Sequence, residues 1–292
     1  MNQRIFYALS NRGLLNFLPD KIYLKWMFSA IVKEKLDLKN PKTFNQKLQW
    51  LKLYNRKDEY TKMVDKYLVR EYIKEKIGED YLIPLLGVYN HFDEIPFNEL
   101  PNAFVMKCTH DSGGVVICED KSHFDFEKAK KKINTCLKRN YYYRGREWPY
   151  KNIEPKIIIE KYMGNDLKDY KFMCFHGEVK CSFVCSNRNT KEGLHVTFFD
   201  LDFHKMPFER HYPSSIEEIQ KPIHYQKMLE LSTILSKNIP FVRVDFYEID
   251  GKIYFGELTF FPGNGTEEFT PRKYDELLGE WIILPNEVKN EK

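Results

Sequence analysis

Near its C-terminal end the chain sets two carboxylates among aromatic residues: Phe241-Val-Arg243-Val-Asp245-Phe-Tyr-Glu248, then Asp250-Gly251, then Ile253-Tyr-Phe-Gly256-Glu257-Leu-Thr259-Phe-Phe-Pro262-Gly263-Asn-Gly265. Acidic side chains on neighbouring strands with apolar surroundings share a face only if a cation neutralises them. Oxygen ligands of this kind suit Mg²⁺, which keeps water and substrate phosphates in its other positions. Register decides whether the two acids meet. A loop from Asp250 to Lys252 pairs Ile249 with Ile253, Asp245 with Glu257 and Arg243 with Thr259, whereas a loop of Asp250-Gly251 alone turns Glu257 to the opposite face. The metal reading therefore predicts the longer loop.

Three further segments carry chemistry-bearing residues. Phe104-Val-Met-Lys107-Cys-Thr-His110-Asp111-Ser112-Gly113-Gly114 delivers a lysine on a strand and then enters a polar glycine turn. Amides in such a turn can approach phosphate oxygens while the lysine adds a point charge. A hairpin whose lysine points to solvent accounts for the same residues. His110 and Asp111, inside the turn, are candidates for a substrate or phosphate contact. Ile157-Ile-Ile-Glu160-Lys161-Tyr162-Met163-Gly164 is an apolar strand ending in charge, able to hydrogen-bond a purine edge or simply to leave the core. Asp169-Tyr-Lys171-Phe-Met-Cys-Phe175 alternates, with Asp169 and Lys171 on one face facing either a groove or solvent.

These segments need elements to hold them. The first ninety residues are helical in character, with a capping-box pattern at Thr43 and Gln46 and a second helix predicted over Asp58 to Ile77, its stripe formed by Met63, Tyr67, Leu68, Tyr72 and Ile73. From Pro84 the texture turns to short strands: Leu85 to Tyr89, Ala103 to Cys108, Gly114 to Cys118, a helix of about Phe126 to Arg139, then Lys156 to Tyr162. A second β section follows, with a hairpin turn at His176-Gly177, a helix near Tyr225 to Lys237 and two final strands.

Composition sets the outer limits. The chain has 292 residues, 42% apolar and 15% aromatic, enough for a substantial core. Its formal charge of +4 is uneven, because residues 121 to 156 hold eleven Lys or Arg against Asp125, Glu127, Glu147 and Glu154. No apolar run approaches the ~20 residues of a membrane helix, and Met1 to Arg12 lacks the pattern of a secretory signal, which predicts a cytoplasmic protein. Several of the six cysteines, including Cys108, Cys118, Cys174 and Cys181, sit in strand-like runs and read as buried thiols, and among the eight histidines His195, His204, His211 and His224 lack tight ligand spacing.

Taken in order, the lysine strand before a glycine turn, the Glu-Lys-Tyr strand, the basic residue on the next sheet and the Asp…Glu pair ending in Pro-Gly resemble the ATP-grasp superfamily over roughly residues 80 to 270. Leu100-Pro-Asn-Ala-Phe-Val-Met-Lys107-Cys-Thr-His-Asp-Ser-Gly-Gly114, Glu147-Trp-Pro-Tyr150, Asp169-Tyr-Lys-Phe-Met-Cys-Phe-His-Gly177 and Gly256-Glu-Leu-Thr-Phe260 look like the TupA-like branch, associated with teichuronopeptide and capsular polysaccharide synthesis. The resemblance implies an α+β ATP-grasp fold, with a helical N-terminal region (1–95), a small lid subdomain (96–164) and a large subdomain with a metal-binding hairpin (165–292). It implies that Lys107 meets the α and β phosphates, Ser112, Gly113 and Gly114 cover them, and Glu160 with Lys161, Tyr162 and Met163 meets adenine. Lys171 would contact phosphate or the transferred group, and Asp245 and Glu257 would bind Mg²⁺ with Thr259, which stands where many members have asparagine. Asn264 is a further ligand candidate. Arg188 and Arg243 would grip a carboxylate or oxyanion.

The activity so implied is a carboxylate–amine ligase using ATP and Mg²⁺, acting on a uronic acid of a surface glycan or its precursor and on an amine, with no nucleic-acid partner. Alanine at Asp245 or Glu257 is expected to abolish activity without unfolding the chain. Two other readings are a glycosyltransferase, which predicts a Rossmann-like βαβ series, and a basic binding module using residues 121 to 156 on glycan or nucleic acid.

Overall fold

The computed structural model describes residues 2–165, 167–187 and 193–285. Three helices come first: α1 (Gln3–Asn11), α2 (Asp20–Ile31) and α3 (Phe44–Tyr54). α3 starts on the predicted capping box, in which Thr43 accepts from the Gln46 amide and the Gln46 side chain reaches back to the Thr43 amide. The single helix expected over Asp58 to Ile77 is instead two, α4 (Asp58–Val64) and α5 (Val69–Lys76). Asp65 makes the break: its buried carboxylate accepts from the amides of Tyr67 at 2.8 Å and Leu68 at 3.0 Å, offering the backbone an alternative to helical bonding. Tyr67 and Leu68, placed on the buried stripe by periodicity, are exposed in consequence.

The strands β1 (Leu85–Tyr89), β2 (Phe104–Cys108) and β3 (Val115–Cys118) are followed by the helices α6 (Phe126–Leu137) and α7 (Tyr142–Gly145) and by β4 (Ile157–Lys161). The four strands form one sheet in the order β1-β4-β2-β3. Alternation does the sorting. Phe104, Met106 and Cys108 join Ile157 and Ile159 in a core with Ala129, Ile133 and Cys136 of α6. Val105 and Lys107, paired with Glu160 and Ile158, therefore take the other face. Lys57 to Leu167 form one compact unit. Residues 57–95, grouped with the N-terminal helices in the sequence reading, lie in this unit, where β1 is an edge strand paired with β4.

The second unit joins the residues up to Arg56 to those from Lys168 onward. Its strands β5 (Asp169–Phe175), β6 (Glu178–Ser186) and β7 (His195–Phe199) are followed by β8 (Glu209–Arg210), α8 (Tyr225–Leu235), β9 (Val242–Ile249), β10 (Lys252–Thr259), β11 (Phe269–Thr270) and α9 (Lys273–Glu280). A five-stranded sheet runs β10-β9-β5-β6-β7, and β8 pairs with β11. On one face of β5, Phe172 meets Tyr225 of α8 and Phe246 of β9 at ring separations of 5.6 and 6.1 Å. All strand pairings among the described residues are antiparallel, so the βαβ series expected of a glycosyltransferase is not formed there. No helix among them is long and apolar enough to cross a membrane.

The β9–β10 hairpin corrects the expected loop. Lys252 pairs with Ile249, so the connection is Asp250-Gly251 alone, both residues holding the positive φ (50° and 71°) that closes a hairpin in two residues. The register then shifts between Phe255 and Leu258, where two residues on β10, Gly256 and Glu257, answer Asp245 alone on β9, and Thr259 still falls opposite Arg243. A bulge at Gly256-Glu257 thus supplies the residue the shorter loop left out and returns Glu257 to the Asp245 face. Gly256 suits that crowding, since a Cβ there would lie 3.1 Å from the Asp245 carbonyl oxygen.

Candidate active site

The sheet of the second unit gathers a charged cluster. Lys171, on the central strand, stands directly opposite Asp245. Its Nζ pairs with Asp245 Oδ2 and lies 2.6 Å from Asp169 Oδ2. Arg243 grips Asp245 bidentately, Nε to Oδ1 at 2.7 Å and Nη2 to Oδ2 at 2.6 Å, and the same Nη2 reaches Glu257 Oε1 at 2.7 Å. Thr259 Oγ1 donates to that Glu257 oxygen at 3.2 Å. Three acids and two bases therefore meet, with Asp245 1% exposed and Glu257 47% exposed.

Burial presses the Asp245 pKa upward, but Arg243 and Lys171 outweigh it and hold the carboxyl below its usual range. Burial wins at Asp169, where the pKa is raised despite Lys171. Desolvation opposes the charge on Lys171 and Arg243, yet the surrounding carboxylates raise both pKa values and keep both side chains cationic. Lys171 and Asp169 do not lie on a solvated sheet face: both are buried.

No three of His, Cys, Asp and Glu among the described residues form a metal-binding group by themselves. The two carboxylates and the hydroxyl gathered at Arg243 are nevertheless hard oxygen donors of the type Mg²⁺ takes when substrate phosphates complete its shell, so the residues fit that ion's chemistry. Asn264 is engaged elsewhere. Lys52 Nζ donates to its carbonyl at 2.9 Å and to its Oδ1 at 3.2 Å, while Gln49 Nε2 donates to the carbonyls of Asn264 and Gly265, each at 2.8 Å. Sequence reasoning passed over Lys52 and Gln49. Their signal was two polar residues on a helix among Leu48 and Leu51, all buried.

Arg210 was missed as well. Its guanidinium is buried over the rings of Phe183 and Phe198, at 4.9 and 5.5 Å, with its Nε 2.9 Å from Glu267. Arg243 lies over the same Phe183 ring at 5.8 Å. No sequence pattern marks Arg210. Arg188 lies outside the described residues.

The unit from Lys57 to Leu167 carries the remaining candidates. Lys107 and Glu160 are brought together, Nζ to Oε2 at 2.7 Å, with Arg70 of α5 3.4 Å from the other Glu160 oxygen. Ser112, Gly113 and Gly114 form the β2–β3 turn; Gly113 has φ 95°, and a Cβ on Gly114 would lie 3.0 Å from Cys108 Cβ. Lys161 is exposed at the end of β4 and its amide donates to Pro84 O, while Tyr162 and Met163 are half-buried beyond it.

His110 and Asp111 are both 2% exposed. His110 Nε2 contacts the carbonyls of Cys136 and Arg139 at 3.2 and 3.1 Å, so that nitrogen carries the proton and donates to the C-terminal turn of α6. Asp111 pairs with Arg139 at 3.0 Å and its carbonyl accepts from Lys66 at 2.7 Å.

The basic stretch is largely engaged internally. Arg146 is buried against Tyr142 and Tyr143, Lys151 lies over Tyr142 and Trp148, Lys121 donates to the carbonyls of Phe97 and Leu100, and Lys130 pairs with Asp93. Arg146 and Lys151 are thus packing residues as much as charges. All six cysteines are free, and burial pushes the thiols of Cys108, Cys174 and Cys181 up to about 12, which leaves them unreactive.

The family model for TupA-like ATP-grasp proteins matches residues 46–283. The D-alanine–D-alanine ligase of Bacillus anthracis, solved with ATP, is 18% identical with a TM-score of 0.45, over 75% of this chain and 64% of that one. The N5-carboxyaminoimidazole synthetase of Staphylococcus aureus, solved with ADP, is 14% identical with a TM-score of 0.46, over 77% of this chain and 53% of that one. The D-alanine–D-alanine ligase of Helicobacter pylori is 14% identical with a TM-score of 0.40, over 70% of this chain and 52% of that one. The chain thus covers less than two thirds of the length of each. No curated protein matches it.

Proposed function

This chain belongs to the TupA-like ATP-grasp family, and on that premise we propose that it is an ATP-dependent carboxylate–amine ligase. The observation that carries the reading is the cluster in which Arg243 joins Asp245 to Glu257 beside Lys171, two acids and two cations on adjacent antiparallel strands. In the proposed reaction a carboxylate oxygen attacks the γ-phosphorus of ATP and ADP leaves. An amine nitrogen then attacks the acyl carbon, phosphate departs, and the nitrogen loses a proton to give the amide.

The protein's part is positioning and charge compensation rather than covalent chemistry. Lys107 would meet the α and β phosphates, with the amides of Ser112, Gly113 and Gly114 around them. Glu160 and the backbone from Lys161 to Met163 would meet adenine. Lys171 would lie at the transferred phosphoryl group, and Arg243 would hold the acyl oxygen as charge develops on it, with Arg188 as a second guanidinium. Asp245, Glu257 and Thr259 would hold Mg²⁺, which supplies charge neutralisation on the phosphates. His110 and Asp111 would act on substrate through the turn they brace.

We propose further, on the association of the TupA-like resemblance with surface-polysaccharide synthesis, that the acceptor is a uronic acid of a capsular or other surface polysaccharide, or its precursor, in the cytoplasm where ATP is available. The test incubates the protein with Mg-ATP, a panel of uronic acids and hydroxylamine. Hydroxamate formed with one acid and not the others would support an acyl phosphate and identify the acceptor class. ATP turnover with no hydroxamate from any acid would remove the uronic-acid assignment.

A further inference from the structure

Within the unit from Lys57 to Leu167, the lysine assigned to the nucleotide phosphates is already paired. Lys107 Nζ lies 2.7 Å from Glu160 Oε2, close enough for an ion pair but outside hydrogen-bond alignment. The Glu160 side chain is 9% exposed, so it cannot exchange that partner for bulk water. Removing one member of a buried pair leaves an uncompensated charge, which is far more destabilising than a broken surface contact. A lysine held this way would resist leaving for a phosphate.

A second cation changes the balance. Arg70 Nη1 lies 3.4 Å from the other oxygen of Glu160, and its Nη2 donates to the Ile83 carbonyl at 3.0 Å. That backbone bond fixes the guanidinium, whereas Lys107 ends a flexible stem and is the more exposed of the two. We propose that Arg70 is a positioning residue for nucleotide binding: it keeps Glu160 neutralised while Lys107 transfers from that carboxylate to the polyphosphate. This rests on the ligase reading of Lys107. Before binding, one carboxylate serves two cations. Afterwards Arg70 and Glu160 remain as a pair and the lysine charge is free for the ligand. Without Arg70, ATP competes with Glu160 for a single lysine.

The test is calorimetric titration of the full chain with Mg-ATP, each variant first checked by thermal unfolding. Arg70→Gln is expected to weaken binding roughly tenfold, the equivalent of about 1.4 kcal/mol, with the buried-charge penalty discounted for partial exposure. Adding Glu160→Gln should return affinity to within about threefold of Glu160→Gln alone, because no carboxylate is left to strand. Arg70→Lys, which keeps the charge, should rescue binding even if Arg70→Gln does not fold. If Arg70→Gln weakens binding as much in the Glu160→Gln background as in the wild type, Arg70 instead touches the nucleotide or merely braces α5, and the proposal is overturned. Unchanged affinity in Arg70→Gln, or a tenfold loss in Arg70→Lys, overturns it as well.

Lys107→Met separates the two claims. Undiminished binding in that variant removes the assignment of Lys107 to the phosphates, and this inference with it. A normal loss there with a flat response at Arg70 removes this inference only. A folded wild-type chain that binds no Mg-ATP removes both.

Discussion

Asp245 is where structure and chemistry make competing demands. Its carboxylate is buried, accepts both arms of Arg243 and pairs with Lys171, so it neutralises two cations in addition to the metal-ligand role proposed for it. An alanine there is expected to cost stability as well as the proposed activity, which adds a stability loss to the expectation of an inactive variant that does not unfold. Asp245→Asn keeps the shape but removes the charge, and breaking a buried pair typically costs about 3–5 kcal/mol. Urea unfolding should show Asp245→Asn less stable by about 3 kcal/mol, at the lower end of that range because two cations can shift toward Asp169 and Glu257. Glu257, nearly half exposed, should behave differently. Glu257→Gln is expected to lose about 1 kcal/mol or less while losing Mg-ATP turnover to the same extent. Equal stability losses in the two variants would mean that Asp245 is not the keystone its contacts describe.

Elements extend this logic to the turn after β2. His110 binds that turn to the last carbonyls of α6, and burial holds its pKa below the ordinary 6.5 although the neighbouring Asp111 opposes the shift. The unfolded chain therefore takes up its proton at higher pH than the folded one. Stability from His110 is present above about pH 6.5 and is lost as pH falls through the folded-state value. The stability difference between the wild type and His110→Gln, measured by urea unfolding from pH 8 to pH 5, should shrink toward the acid end. A difference that stays level would mean that His110 takes up its proton at the same pH in the folded and unfolded chain, so that burial does not lower its pKa.

Residue patterns revealed most elements but not their irregularities. The Thr43-Gln46 box, the alternation through Phe104 to Cys108 and the glycine turn are local, so each could be read from neighbouring residues. The break at Asp65 required knowing that one carboxylate would accept two amides rather than let the helix continue. The bulge at Gly256-Glu257 depends on the fit of one strand against its neighbour, which spacing along a single strand does not encode. The meeting of Asp245, Glu257 and Arg243 was thus predicted for a register the hairpin does not use, and a different irregularity produces it. Lys52 and Arg70 were invisible for a related reason: their acceptors lie far along the chain, at Asn264 and Glu160.

At the scale of the whole molecule those distant partners determine which segments can fold alone. Lys57 to Leu167 is continuous in sequence and closes its own core between its sheet and α6. The other unit is split, and α3 binds its two parts together. Asn45 donates its amide to Asp275 at 2.9 Å and its side chain to the Glu267 carbonyl at 2.8 Å, and Lys47 reaches the carbonyls of Gly279 and Ile282, each at 2.8 Å. Phe44 packs edge-on to Phe241 at 4.9 Å. At Gly279 the approach is so close that an added Cβ would sit 2.1 Å from the Lys42 carbonyl oxygen. A fragment of residues 57–167 should therefore unfold cooperatively in urea, whereas one beginning at Lys168 should not unless residues 1–56 are supplied in trans. In the intact chain Gly279→Ala should push α9 from α3 and lower stability by about 3 kcal/mol, the upper end of what overpacking produces, because the clash is with backbone rather than a movable side chain. Cooperative unfolding of the isolated C-terminal fragment, or a silent Gly279→Ala, would mean that the N-terminal helices decorate that unit rather than complete it.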